Sequence, residues 1–308
     1  MGFWTTNSFV PTWSGFLSKY IWNLPPQVLE SLSIRRQVEL PQELIMRTAR
    51  LEDLGAITEF WSRYFSNWSS CHCSVPLAHI KKMFSSGIWE IILVVRKDGN
   101  IVGTIVRRRI KNLHIREAKW STAAVIDYFC VHPAWRKKGV GRSLLNAIHN
   151  TATVPMNPMP PQLIFWEGLK FLPPLSIGLF WTRRGVIGPG VQVYGEECEK
   201  AWNNNRGDIW TEKAGEEITF WKTEHHGIVI IWNTFHRSVP DGGDIGIVLG
   251  GSIDAVNSLA LSSPWSVFLF PGYNYGTFES PWKMDSPFQW IGYNLSVGFV
   301  GAFPRIGF

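Results

Sequence analysis

Charge is scarce in this chain. Only 18% of its 308 residues are Asp, Glu, Lys or Arg, against 45% hydrophobic and 14% aromatic. A disordered chain needs the opposite balance, so this composition implies a packed core. Long apolar runs are missing too. The longest candidates, Gly227 to Trp232 and Val267 to Phe270, fall far short of the roughly 20 residues that cross a bilayer as a helix, so no transmembrane segment is expected. Met1 to Ser14 has no basic stretch followed by an apolar one, and a cytoplasmic protein is the expectation. Cysteine is sparse: Cys71, Cys73, Cys130 and Cys198 are too few for a disulfide framework at this length and read as reduced thiols. Cys71-His72-Cys73 lacks the spacing of a zinc knuckle and has no second Cys/His pair after it, so a loop and no metal are expected there. No fixed-period repeat or low-complexity tract occurs.

The charge that is present is uneven. Residues 1–40 sum to +1, residues 41–150 hold 17 basic and 8 acidic side chains for +9, and residues 151–308 hold 10 and 14 for −4. Glycine shifts the other way, with 20 of 28 lying beyond residue 150. Two halves with different electrostatic roles follow, the first suited to an anionic ligand.

Periodicity predicts a short strand around Met46, then a helix through Leu54, Ile57, Phe60, Trp61 and Tyr64 with Asp53 as its cap. A second helix is predicted from Pro76 to Phe84. Trp89 to Val95 and Ile101 to Arg109 read as strands of a hairpin turning at Lys97-Asp98-Gly99-Asn100. Ala123 to Val131 is a further strand, and Leu144, Leu145 and Ile148 mark a helix after it. Beyond the Pro-rich stretch Val154 to Pro161, strands are predicted at Leu163 to Trp166, Ile218 to Trp221, Ile228 to Trp232 and Trp265 to Phe270. Ile253 to Leu261 reads as a helix, and Leu175 to Trp181 as helical or extended. The second half repeats the order hairpin, helix, strand, which implies an α+β chain of two similarly built lobes.

The strongest chemical signal is Tyr128-Phe-Cys-Val-His-Pro-Ala-Trp-Arg-Lys-Lys-Gly-Val-Gly141 ahead of a helix. Gly139 and Gly141 permit close backbone approach, and a helix N-terminus offers unpaired N–H donors and a favourable dipole to phosphate. Arg136, Lys137, Lys138 and Arg142 add charge where a pyrophosphate would sit. The pattern fits an acyl-CoA cradle, bound as a co-substrate rather than a permanent cofactor.

Met46-Arg-Thr-Ala with Glu52-Asp53, the hairpin, and Val131-x-Pro-x-x-Arg136-x-x-Gly139-x-Gly141 resemble the GNAT superfamily of acyl-CoA transferases. Over nearly its whole length the chain looks like a divergent glycylpeptide N-myristoyltransferase, a family built of two GNAT-like lobes. Its Phe-Trp-x-Thr opening and Val-Pro are similar to Phe3-Trp-Thr-Thr6 and Val10-Pro11, its Asn-Phe-Leu-Cys-Val-His strand to Asp127-Tyr-Phe-Cys-Val-His132, and its Leu-Arg-Ser-Lys turn to Trp135-Arg-Lys-Lys138. Leu172-Pro-Pro, Leu179-Phe-Trp-Thr-Arg183, Asp285 and Gln289-Trp-Ile-Gly-Tyr-Asn294 follow in the family's order.

The resemblance implies two tandem GNAT-like lobes with a mixed central sheet flanked by helices. The implied layout is an arm at residues 1–40, an acyl-CoA lobe at 41–190 and a degenerate peptide-binding lobe at 191–308. It implies transfer of myristate from myristoyl-CoA to the N-terminal glycine of a peptide by a monomeric enzyme. Backbone N–H groups of Tyr128 and Phe129 would hold the thioester carbonyl; Phe3, Trp4, Cys130, Val131 and Arg136, Lys137, Lys138, Gly139, Val140 and Gly141 would contact CoA. The Phe308 carboxylate would be the base. On the substrate side the family's Thr falls at Trp166, its Tyr at Phe180 and its His at Thr182, while Asp285 would receive the peptide. With those positions changed, an N-acetyltransferase using acetyl-CoA and an inactive acyl-CoA or peptide-binding homologue are the alternatives.

Asp127 shares strand parity with Phe129 and Val131, which makes it a base candidate, although a structural hydrogen-bonding role is favoured. His132 reads as partly buried, and His225 and His226 as solvated turn residues. Arg107, Arg108 and Arg109 suggest nucleic acid, but successive strand residues face opposite ways, so no basic strip forms and a CoA-facing or solvated role is expected.

Overall fold

The computed structural model describes residues 27–28, 38–65, 71–115, 117–152, 161–167, 176–184, 190–204, 209–210, 217–223, 227–239, 244–251, 255, 265–271, 288–292 and 295–296. The expected hairpin is its organising element. Gly99 takes φ +87°, Asp98 Oδ1 accepts the Asn100 N–H at 3.1 Å, and Arg96 N–H donates to the Asn100 carbonyl at 2.9 Å. This turn joins β4 (Trp89–Arg96) to β5 (Ile101–Ile115). β5 then pairs with β6 (Ala118–Val131) along nearly its full length. Both strands run well past their predicted bounds, because the polar run from Arg107 to Thr122 hides an extension whose buried face is covered by the second half of the chain.

β1 (Gln27–Val28) and β16 (Leu295–Ser296) form a separate two-stranded ladder. β2 (Leu44–Thr48) lies on the outer side of β4. Helix α1 (Leu54–Tyr64) buries Leu54, Ile57, Phe60 and Trp61, a stripe at helical spacing, and α2 (Leu77–Ser85) buries Ile80 and Met83. Both pack on one face of the sheet with Trp89, Val106 and Tyr128. Helix α3 (Val140–Ala152) packs on the other, against Ile105, Ile126 and Leu44. Asp53 starts α1 but makes no side-chain cap bond to it. Its carboxylate takes Arg47 at 2.6 and 2.7 Å and the Arg50 N–H at 2.7 Å, closing the short 3-10 turn before the helix.

The second half contributes β8 (Ser176–Arg184), β9 (Gly190–Val193), α4 (Glu196–Asn204), β10 (Ile209–Trp210), β11 (Ile218–Thr223), β12 (Gly227–Ser238), β13 (Asp244–Gly250), β14 (Trp265–Pro271) and β15 (Phe288–Gly292). With β7 (Gln162–Glu167) they extend the sheet in the order β2-β4-β5-β6-β7-β15-β8-β14-β13-β12-β11-β9. Pairing is antiparallel except for β6–β7 in one half and β13–β14 in the other. The architecture is thus α+β, two lobes sharing one mixed sheet with flanking helices, as the sequence implied.

Leu175 to Trp181 resolves in favour of a strand, β8. Cys71 to Cys73, expected as a loop, is strand β3 and pairs antiparallel with Ser238 to His236 of β12. That pairing ties the halves together, as does a shared core in which Ile110, Leu113 and Val125 pack with Trp202, Phe220 and Trp232. Phe3, Trp4, His225, His226, Asp285, Phe308 and nearly all of the helix predicted at Ile253 to Leu261 lie outside the described residues. Among the described residues no helix is long and apolar enough to cross a membrane.

Candidate functional site

β6 does not run straight. Thr104 faces Cys130 and Val106 faces Asp127, so Tyr128 and Phe129 both stand against Ile105. This is a β-bulge, and Tyr128 takes the left-handed conformation at φ +45°. For a bulky aromatic residue such a backbone persists only where its surroundings hold it. They do so in several ways. Tyr128 is buried and stacks on Trp61 at 4.3 Å, with Phe65 and Trp89 at 5.2 and 5.3 Å. Thr104 Oγ1 accepts the Trp61 indole N–H at 2.9 Å and donates to the Tyr128 carbonyl at 3.0 Å.

The bulge overturns one expectation. Asp127 was assigned the face of Phe129 and Val131, yet the extra residue puts Asp127 beside Tyr128 on the α1–α2 face, where its Oδ2 lies 3.0 Å from Arg108 Nη2. Phe129 and Val131 pack on the α3 face. The bulge also lies where the sheet opens. β6 pairs with β7 at Ala124, Val125 and Ile126 and no further, although both strands continue. The β6–β7 ladder thus ends before the bulge is reached.

The basic turn follows directly. Arg136 Nε donates to the Val131 carbonyl at 3.0 Å, and Lys138 Nζ lies 4.7 Å from the centre of the Trp135 ring. Arg136, Lys137, Lys138 and Arg142 are exposed, whereas Val140, the first residue of α3, is buried. Lys137 and Gly139 have φ of +64° and +84°, which curl the chain so that the N-terminus of α3 opens among these cations. The first bond of that end runs from the Ser143 N–H to the Gly139 carbonyl. A Cβ on Gly141 would lie 3.1 Å from Cζ of Phe129. Bulge and turn are therefore in van der Waals contact, one unit of strand, turn and helix end.

Behind the bulge lies a group of charges that sequence reasoning missed. Arg108, Asp127 and Glu217 are 1%, 4% and 2% exposed. Arg108 Nη1 lies 3.4 Å from Glu217 Oε1, which lies 2.9 Å from His79 Nε2, and Arg108 Nη2 donates to Tyr128 Oη at 3.3 Å. The guanidinium also sits over the Trp89, Tyr128 and Trp232 rings at 4.6, 5.5 and 5.7 Å. Burial pushes the Asp127 carboxyl and the Tyr128 phenol up. For Glu217, burial acts upward but is outweighed by His79 and Arg108, which hold the carboxyl below its ordinary value. Burial likewise opposes charge on Arg108, and Asp127, Tyr128 and Glu217 more than restore it. The expected CoA-facing or solvated role for the arginines is corrected accordingly. Arg108 is a core cation, Arg107 is buried against Glu90 on the facing strand, and Arg109 alone is exposed. Arg108 alternates with Val106 and Ile110 on an apolar face, a pattern that marks it as buried. Glu217, from distant sequence, carries no such mark.

On the substrate side the backbone positions come together through the sheet. Trp166 of β7 lies opposite Gln289 of β15, which lies opposite Leu179 of β8, next to Phe180; Thr182 faces Leu269 of β14. A separate open groove of about 410 Å³ lies between α1 and the β4–β5 turn, lined by Arg63, Tyr64, Arg96, Asn100, His132 and Trp135 among others. His132, half-buried, packs edge-on to Tyr64 at 4.6 Å and accepts the Ala134 N–H on Nδ1 at 3.2 Å, a structural role.

Residues 89–167 match the acetyltransferase (GNAT) domain model. The matched segment runs from β4 to β7 and holds the bulge, the basic turn and α3. No curated protein matches the chain in sequence. Among solved structures, N-myristoyltransferase of Saccharomyces cerevisiae with bound myristoyl-CoA and inhibitors is similar in fold, with a TM-score of 0.61 at 11% identity over 88% of this chain and 84% of that one. The same enzyme with bound myristoyl-CoA gives 0.58 at 9% identity, over 86% and 82%. At such identities the likeness is one of fold, and it spans both lobes.

Proposed function

We propose that this protein is an acyl-CoA-dependent N-acyltransferase that moves myristate from myristoyl-CoA to an N-terminal glycine amine. The domain match supports acyl transfer from an acyl-CoA. The observation that carries the finer reading is the two-lobed fold itself, which is similar over more than four fifths of the chain to an enzyme solved with myristoyl-CoA. In this reading the exposed cations Arg136, Lys137 and Lys138 and the α3 N-terminus take the pyrophosphate. The pantetheine and thioester lie between β6 and β7, and Cys130, Val131, Gly139, Val140 and Gly141 contact CoA together with Phe3 and Trp4 of the arm. The second half, net negative, takes the peptide at Trp166, Phe180, Thr182 and Asp285.

The glycine nitrogen attacks the thioester carbonyl carbon, a C–N bond forms, and the oxyanion is held by backbone N–H at the bulge. The C–S bond then breaks. The amine proton passes to the Phe308 carboxylate and the CoA thiolate leaves to be protonated, with no covalent enzyme intermediate. The GNAT domain match favours acetyl-CoA as the second donor to test. Incubation with each acyl-CoA and a panel of Gly-starting peptides, following free CoA and product mass, decides between them. Myristoyl transfer is the expected result, and preference for acetyl-CoA would sink it. Tight acyl-CoA binding without turnover would point to an inactive homologue. Turnover that survives deletion of Phe308 would remove that residue from the mechanism.

A further inference from the structure

The bulge has two amides outside the ladder register, and they are not equivalent. Tyr128 N–H donates to Asp127 Oδ1 at 2.7 Å, inside the core. The other oxygen of that carboxylate, Oδ2, faces Arg108 Nη2 at 3.0 Å, and Arg108 Nη1 faces Glu217 Oε1 at 3.4 Å. Glu217 immediately precedes β11 in the second half, and its Oε1 also lies 2.9 Å from His79 Nε2 of α2. A continuous run of polar contacts therefore reaches from the second lobe to the backbone of the bulge. Every group in it is buried among Trp61, Trp89, Tyr128 and Trp232, where a carboxylate that lost its partners would be strongly disfavoured.

We propose that Asp127, held by Arg108 and Glu217, is a positioning residue that captures the Tyr128 N–H and so turns the Phe129 N–H toward the thioester as the oxyanion donor. The proposal rests on the acyl-transfer reading for its chemical consequence, but the capture itself belongs to the free protein. It assigns Asp127 a role other than that of a base, since both its oxygens are taken in the core. It also gives the second lobe a part in acyl transfer, through a glutamate about 90 residues from the bulge in sequence.

The test compares full-length wild type, Asp127→Asn, Asp127→Ala and Glu217→Gln. Asparagine keeps a carbonyl that accepts the Tyr128 N–H, and alanine keeps nothing. Hydrogen exchange of the Tyr128 amide, read without ligand, is expected to stay within about threefold of wild type in Asp127→Asn and to quicken about tenfold or more in Asp127→Ala. With acyl-CoA and a glycyl peptide, kcat is expected to hold within about fivefold in Asp127→Asn and to fall roughly 100-fold in Asp127→Ala, with KM for acyl-CoA within about threefold in both. An Asn variant as impaired as the Ala variant would overturn the proposal, because Asp127 would then matter only as the counter-charge of Arg108. Unchanged Tyr128 exchange in Asp127→Ala would overturn it equally. Should Asp127→Ala fail to fold, Glu217→Gln carries the test: faster Tyr128 exchange and a lower kcat support the relay, and wild-type values for both refute it. If wild type turns over no acyl-CoA while the exchange pattern is as stated, the functional reading fails and the capture stands.

Discussion

At the scale of single residues, the two glycines of the basic turn have different physical tasks. Gly139 is needed for its φ of +84°, since a Cβ there would meet nothing within 4 Å. Gly99 of the β4–β5 turn, at φ +87°, is its match in every respect except location. Alanine at either should cost about 1–2 kcal/mol through backbone strain. Only Gly139→Ala is expected to weaken acyl-CoA binding as well, which titration calorimetry on the two variants would measure; equal affinities would remove the turn from the site. Arg136→Ala should weaken acyl-CoA binding by roughly 3- to 10-fold, the scale of an exposed charge contact. Gly141 is needed for space, and its substitution would press α3 against the Phe129 ring.

At the scale of elements, the bulge depends on Thr104, whose one hydroxyl serves both the Trp61 indole and the Tyr128 carbonyl. Thr104→Val keeps the shape and leaves two buried groups without that partner. A loss of about 2–6 kcal/mol in chemical denaturation is expected, at 1–3 kcal/mol for each unsatisfied buried group. A loss below 0.5 kcal/mol would mean that the bulge holds itself. The same substitution should lower kcat more than it raises KM for acyl-CoA, because it acts on the strand proposed to carry the oxyanion donor and not on the turn proposed to take the phosphates.

At the scale of the whole molecule, the continuous sheet, the β3–β12 pairing and the shared core make the halves one cooperative unit. Tryptophan fluorescence and calorimetry are expected to report one coincident transition; two separated transitions would show that the lobes unfold independently. The buried charges add a pH dependence. Glu217 is held below its ordinary value of 4.5, so the stability it contributes is complete above that value and is lost as pH falls through the lower folded one. Asp53, whose hydrogen bond from Arg47 keeps it below 3.8, has the same sign. Asp127, raised by burial, has the opposite sign: what it contributes is present at low pH and is lost as pH rises through its raised value. The melting temperature of wild type should therefore drop between about pH 5 and pH 3 more steeply than that of Glu217→Gln. Parallel curves would exclude Glu217 as a source of that slope.

Local chemistry sufficed for much of this protein. The hairpin at Asp98-Gly99, the amphipathic stripe of α1 and the strand, basic turn and helix around Arg136 are set by residues within a few positions of one another, and their turn preferences and periodicity are legible without a fold. The position of Asp127 was not, because face assignment by alternation assumes an unbroken strand. One extra residue, fixed by Trp61 and Thr104 from other elements, reverses it. The extent of β5 and β6, the strand at Cys71 to Cys73 and the burial of Arg108 were likewise set by contacts with β10, β12 and Glu217. A polar residue in a strand is exposed or buried according to what lies across from it. For Arg108 that partner is Glu217, 109 residues away, and only the folded chain brings the two together.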